Sequence, residues 1–226
     1  MAPPPKSESW VAVIGDMVHS RALTVPDRAA AQEEFTNLVT LLNQRFRRSI
    51  ASRFVITLGD EFQGLLSNPE VIPELVWLIE TEYREREVRI GVGYGTLHTP
   101  IRKVALNIDG PVLHYARAAI TVARTKKLLG GVFNGFGPHD DVLTGFAQVL
   151  RYVRQHMTAK QRQVLELLRA GHTQHQAAVV LGISKQAVSD HAIAAGGDAY
   201  RLAELGWTQA LRLATSPDLT RHAGHE

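Results

Sequence analysis

Phe54-Val-Ile-Thr-Leu-Gly-Asp-Glu-Phe-Gln-Gly-Leu-Leu66 reads as two strands about a turn. Phe54–Leu58 is an apolar, β-branched run, Gly59-Asp60 is a turn dipeptide, and Phe62–Leu66 returns as the second strand of a hairpin. Upstream, Trp10-Val-Ala-Val-Ile-Gly15 is a short strand that ends at Asp16. From about Pro26 or Asp27 to Arg48, the apolar Phe35, Leu38, Val39, Leu42 and Phe46 recur at spacings that predict a helix. Downstream, Pro69 opens a second helix with Ile72, Leu75, Val76, Ile79 and Tyr83 on one face. Val88-Arg-Ile-Gly-Val-Gly-Tyr-Gly95 is then a fourth strand. The order β-α-β-β-α-β predicts an α+β, ferredoxin-like unit, the split βαβ arrangement. A helix from Pro111 to Leu128, a last strand or loop over Gly130–Gly137 and a helix over residues 139–155 follow.

That order has a chemical consequence. In such a fold the first strand neighbours the central hairpin, so Asp16 and Asp60 are expected to converge on one edge of the sheet. Two carboxylates with phosphate oxygens suit octahedral Mg²⁺ or Mn²⁺. Two such metals can activate a 3′-hydroxyl and hold a triphosphate. Asp16 and Asp60 are therefore metal-ligand candidates. Plainer readings stand beside these. Gly59-Asp60 and Asp109-Gly110 suit simple turns, the second with Pro111 starting a helix. Asp16 suits a helix cap with Ser20 nearby, and Arg117 suits a structural pair with Glu61. His19, His98 and His114 lack ligand-like spacing and read as structural or surface residues. Arg45, Arg47 and Arg48 read as a solvated helix end placed favourably for the helix dipole.

The C-terminal third carries a different signal. Thr158 is a plausible N-cap with Gln161 at the capping-box position. Val164, Leu165, Leu167 and Leu168 form an apolar stripe, and Gly171 ends that helix. Ala178 suits a close helix crossing, and Gly182 follows four residues later, where a left-handed turn favours glycine. Ser184 caps the next helix and Val188 faces back onto the first. The pattern predicts a helix-turn-helix. It leaves Ser184, Lys185, Gln186, Ser189 and Asp190 near the exposed start of the second helix, the part that enters the DNA major groove in such motifs. The plainer reading is a helical hairpin that touches no nucleic acid.

Charge agrees with the DNA reading. The net charge of the whole chain is +3. Residues 151–195 hold six Lys/Arg against two Asp/Glu, whereas residues 1–150 are balanced at sixteen of each. The cationic surplus thus coincides with the motif, as phosphate contact requires. Hydrophobic residues make up 45% and charged residues 21% of the 226, an ordinary globular composition. There is no cysteine, which excludes disulfides, thiol nucleophiles and cysteine-ligated zinc and fits a cytoplasmic protein. No apolar run approaches membrane-spanning length, and Met1–Ser9 lacks the apolar core of an export signal.

Several of these stretches resemble known families. Leu58-Gly-Asp-Glu-Phe62 with Leu65-Leu66 is similar to the GGDEF signature of diguanylate cyclases. Arg89-Ile-Gly-Val-Gly-Tyr-Gly95 is similar to the strand that follows it in those enzymes and in class III adenylate cyclases. Asp109-Gly-Pro-Val-Leu-His-Tyr-Ala-Arg117 resembles the class III segment whose helix carries an asparagine and an arginine. Val13-Ile-Gly-Asp-Met-Val-His-Ser-Arg21 resembles the first metal-binding strand. Met157–Leu168 and Leu181–Ser189 resemble the C-terminal helix-turn-helix modules of bacterial sigma factors and LuxR-type response regulators. Together, over about residues 10–195, the order resembles the bacterial SatD-like family, which implies a cyclase-type palm followed by a helix-turn-helix. The departures weigh against cyclisation. Leu58 stands where diguanylate cyclases have glycine. Ile56 replaces a base-selecting lysine, and Leu113 a transition-state asparagine. Asp16, Asp60 and Arg117, the metal and phosphate part, survive, and the resemblance makes Glu61 and Arg117 the catalytic candidates.

The expected organisation is a flexible tail (1–9), a palm (10–137), a connecting helix (138–156), a helix-turn-helix domain (157–215) and a second tail (216–226). The expected function is a DNA-binding transcriptional regulator whose palm senses a nucleotide triphosphate or dimerises. The partners are then double-stranded DNA and a second copy of the chain. The alternative is a Mg²⁺- or Mn²⁺-dependent nucleotidyl cyclase-like enzyme controlled by its helical module.

Overall fold

A computed structural model of the chain describes residues 8–18, 24–83 and 86–216. His19, Ser20 and Arg21 lie outside the described residues, as does most of both expected tails. Ser9, read from sequence as tail, is instead the first residue of a strand and pairs with Thr96. By packing, the chain divides into residues 1–148 with 207–226, and residues 149–206.

The first unit contains β1 (Ser9–Met17), α1 (Val25–Arg45), β2 (Ile50–Leu58), β3 (Glu61–Leu66), α2 (Ile72–Glu82), β4 (Val88–Thr96), α3 (Pro111–Lys126) and β5 (Val132–Asn134). The sheet order is β2-β3-β1-β4-β5. The three pairs among β1–β4 are antiparallel, and β5 joins β4 in parallel after the α3 crossover. This is the split βαβ order with a fifth strand added where the sequence left strand or loop open.

Strand alternation assigns the two faces. Phe62 packs against Phe35 of α1 with ring centroids 5.4 Å apart, and its ring occupies the space where Gly15 has no side chain. The opposite face carries Ala12, Ile14 and Leu65 under the buried Val112, Ala116 and Ile120 of α3. Gly91 and Gly93 let α3 lie directly on β4. A Cβ on Gly93 would sit 2.3 Å from the Val112 carbonyl oxygen, and one on Gly91 2.6 Å from that of Ala116. The loop between β4 and α3 crosses to the far edge. Ala105 N–H donates to the Arg53 carbonyl (3.0 Å), Ser52 Oγ donates to the Arg102 carbonyl (2.7 Å), and Ala105 and Ile108 join the α3-side core.

Two long helices contribute to both units. One is α4 (Asp140–His156), where the sequence predicts a helix over residues 139–155. The other is α8 (Gly197–Ala214), whose C-terminal half belongs with the sheet. Trp207 is 2% exposed and lies edge-on to Phe133 at 5.9 Å, and Tyr94 Oη donates to the Thr215 carbonyl. The sequence predicts a helical domain that extends to residue 215. The large apolar surface of Trp207 is buried in the first unit instead.

The second unit holds α5 (Ala159–Arg169), α6 (Gln174–Leu181) and α7 (Lys185–Ala194). Local chemistry sets their ends. Thr158 with Gln161 and Thr173 with Gln176 each form a capping box. Gly182 adopts φ 64° at the end of α6, and the Ser184 side chain accepts from Ala187 N–H at the start of α7 (3.0 Å). Val188 is fully buried against Val164, Ala177 and Ala178. Beneath them the Arg154 guanidinium, 8% exposed, donates to Tyr200 Oη at 2.6 Å, and Arg169 pairs with Glu204 at 3.0 Å.

Candidate functional site

Sheet register brings the acidic candidates together. Asp16 stands opposite Glu61 on β3 and opposite Arg89 on β4. Period-two alternation points all three side chains to the face that carries α3. Met17 N–H donates to the Asp60 carbonyl at 2.9 Å, so the hairpin turn lies beside the end of β1. The convergence of residues 16 and 60 on one edge is therefore present in the backbone.

The carboxylates meet guanidiniums there. Arg124 Nη2 and Nε donate to the two Asp16 oxygens at 2.8 and 3.1 Å, and Arg89 Nη1 donates to Oδ2 at 3.3 Å. Arg117 grips Glu61 through two contacts, Nη1 to Oε2 and Nη2 to Oε1, the latter 2.8 Å. Arg124 also reaches Glu61 Oε2 at 3.4 Å, and Thr57 Oγ1 donates to Oε1 at 3.1 Å. The Asp16 and Glu61 side chains are 8% and 3% exposed, whereas those of Arg117 and Arg124 are each 45% exposed. The hydrogen bond to Asp16 holds the Arg124 pKa above its ordinary value, against the effect of burial, and the charges of Asp16, Glu61 and Asp60 add to it. Three acidic residues thus act on one guanidinium.

The pairing of Arg117 with Glu61 is the structural reading of those two residues. Arg124 and Arg89 were not singled out from sequence. Arg124 lies seven residues from Arg117, two helical turns along one face of α3. Arg89 becomes legible only once the β1–β4 register is known. Hard carboxylate oxygens of this kind fit Mg²⁺ or Mn²⁺. Among the described residues, however, no three His, Cys, Asp or Glu side chains are grouped to hold one ion. Leu113 packs against the apolar α3-side core. His114 Nε2 lies 2.9 Å from Asp109 Oδ1, both exposed, beside the start of α3.

The candidates on α7 separate by exposure. Ser184, Lys185, Gln186 and Asp190 are exposed, and Gln186 Nε2 donates to Asp190 Oδ1 at 2.9 Å. Ser189 is half-buried and lines a cleft of ≈ 620 Å³ with Leu165, Leu168, Tyr200 and Glu204.

A family model described as the SatD family matches residues 10–190. No curated protein matches the chain. Among solved structures, similarity extends to nucleotide cyclase domains. A dimeric guanylyl cyclase domain of the RhoGC fusion protein from the aquatic fungus Blastocladiella emersonii is 17% identical. That match covers 49% of this chain and 72% of that one, with a TM-score of 0.32. A bacterial light-regulated adenylyl cyclase is 13% identical over 55% of this chain and 42% of its own, with a TM-score of 0.38. The guanylate cyclase domain of RhGC from Catenaria anguillulae, solved with GTP, is 18% identical over 49% and 71%, with a TM-score of 0.32.

Proposed function

The chain belongs to the SatD family, and we propose that its first unit binds a nucleoside triphosphate together with Mg²⁺ or Mn²⁺ at the edge formed by Asp16, Asp60 and Glu61. The observation that carries this reading is a buried carboxylate pair whose guanidinium partners on α3 are half exposed. A charge exchange follows from it. Asp16 and Asp60 would hold the metal, and Arg117 and Arg124 would turn to phosphate oxygens, which match their planar fork. The metal, when bound, supplies charge neutralisation to the phosphates. Ile56 and Leu113 offer no polar group to a base or a reacting oxygen, so the site favours binding over turnover. Equilibrium binding of labelled ATP and GTP with Mn²⁺ tests this. Binding should require the metal and disappear in Asp16→Asn and Asp60→Asn. A nucleotide that binds equally well to both variants overturns the reading. Metal-dependent release of pyrophosphate would establish the cyclase-like alternative.

A second reading concerns residues 157–194 and completes the protein as a DNA-binding regulator. Its support is the exposure of Lys185, Gln186 and Asp190 at the start of α7, next to a three-residue turn, within residues 151–195, where six Lys/Arg stand against two Asp/Glu. Such a module reads few base pairs alone, so two copies on two half-sites are required for useful affinity. Binding to duplex DNA should weaken steeply with salt and fall when Lys185 and Gln186 are both changed to alanine. Absence of duplex binding at low salt removes this reading and leaves the nucleotide reading untouched.

A further inference from the structure

The edge of the sheet at the start of β2 carries cations that neither site described above uses. Residues 43–58 and 97–108 hold six Lys/Arg and no Asp/Glu. Arg45 is paired with Glu74 at 3.3 Å. The other five, Arg47, Arg48, Arg53, Arg102 and Lys103, are exposed and make no ion pair among the described residues. Tertiary contacts bring them together. Asn43 Nδ2 donates to the Phe54 carbonyl and Phe54 N–H donates to Asn43 Oδ1, each at 2.9 Å, which ties the end of α1 to β2. Arg53 N–H donates to the Lys103 carbonyl at 3.0 Å, and the Ser52 hydroxyl donates to the Arg102 carbonyl. Arg48 and Arg53 are separated by at most about 17 Å of extended chain. The acidic cluster lies at the opposite end of β2, where Leu58 pairs with Glu61. Charges on an edge strand commonly block pairing with another sheet. Here the loop already covers that edge, because Val104 bridges to Arg53. The five charges are not needed for that protection, and like charges this close repel one another.

We propose that this edge is a docking surface for the phosphate backbone of duplex DNA, engaged without regard to base sequence. Four of the five cations are guanidiniums, which stay charged at physiological pH and match phosphate oxygens as planar forks. Duplex DNA carries one charge per about 1.7 Å of axis, so about ten phosphates lie along an edge of about 17 Å. Single strands are gripped by stacking on aromatic rings. The aromatic residues of these two segments, Phe46 and Phe54, are both buried, which selects the duplex. A membrane is the poorer partner. Ile101 and Leu106 are only 39% and 38% exposed and belong to no helix, whereas interfacial binding needs a broad apolar face. The surface lies in the first unit and does not involve α7, so it stands or falls apart from the helix-turn-helix reading.

Equilibrium binding of the full chain to a labelled duplex of arbitrary sequence, followed against salt, tests this. The parent should bind at low salt. R47Q/R48Q/R53Q/R102Q/K103Q should lose about tenfold or more in affinity, and its slope of log K against log salt should be shallower by about 3, the equivalent of three or more phosphate contacts. K185A/Q186A should keep the part of the slope that the quintuple variant loses. The charge-preserving R47K/R48K/R53K/R102K should keep the parent's slope. A quintuple variant with the parent's affinity and slope overturns the proposal. So does a lysine variant that loses the slope as well, since charge is then not the cause. A parent that ignores duplexes at low salt overturns it too. If K185A/Q186A alone loses all binding, the α7 reading stands and this one falls. Tighter binding to phosphatidylserine vesicles or to polyglutamate than to the duplex also overturns it, by placing a membrane or an acidic protein on this edge.

Discussion

Replacing Arg117 with alanine removes one partner of a carboxylate that water scarcely reaches. Glu61 is 3% exposed at its side chain and would keep Arg124 at 3.4 Å and the Thr57 hydroxyl at 3.1 Å. Breaking a fully buried ion pair from one side costs about 3–5 kcal/mol. Arg117 is 45% exposed and Arg124 remains, so the expected loss is lower, about 2–3 kcal/mol. For a unit of this size that corresponds to a fall of about 5–10 °C in Tm. The three tryptophans, Trp10, Trp77 and Trp207, all lie in the first unit, so urea unfolding followed by tryptophan emission reports the relevant transition. In the Glu61→Gln background the same arginine change should cost about 1 kcal/mol or less, since no buried charge is then stranded. The double-mutant cycle should show a coupling of about 1–2 kcal/mol. Lys126→Ala, exposed on the same helix, should stay within about 0.5 kcal/mol. If Arg117→Ala costs no more than Lys126→Ala, or if the two changes add, the cluster is not an interdependent ion network and the charge-exchange argument loses its basis.

Gly93→Ala should destabilise by about 3 kcal/mol or prevent folding, because its Cβ would press on the Val112 carbonyl at 2.3 Å with α3 already seated. Gly145→Ala, with open space around it, should stabilise by about 0.5–1 kcal/mol through helix propensity; thermal melts of both variants give the contrast. Gly182→Ala should cost about 1–2 kcal/mol, because φ 64° is disfavoured for any residue with a Cβ; exchange of the α6 and α7 amides would report it. Burial pushes the Tyr200 phenol up to about 12 from 10.0. The unfolded chain therefore ionises first, so this contribution to stability is complete below about pH 10 and lost as pH rises towards 12. Tyr200→Phe should abolish that part of the alkaline decline, measured by helix content.

The elements of the chain were legible because each rests on local chemistry. The Gly59-Asp60 turn between apolar runs, the Thr158 and Ser184 caps and the glycine at 182 act within a few residues of themselves, and the structure places each where its side chain predicts. The proximity of Asp16 and Asp60 followed from strand order alone. What occupies the Asp16 and Glu61 oxygens did not. Arg89 reaches Asp16 across a strand pairing 73 residues apart in sequence, and Arg124 across 108, and neither separation leaves a mark in the local pattern. The seat of Trp207 under Phe133 and the outward turn of Val149 and Tyr152 are of the same kind. Sequence by itself determined the order of helices and strands and which carboxylates share an edge. Tertiary structure decided which charges neutralise them and which apolar residues stay exposed, because an ion pair and a burial are set by distances that only the packed chain defines.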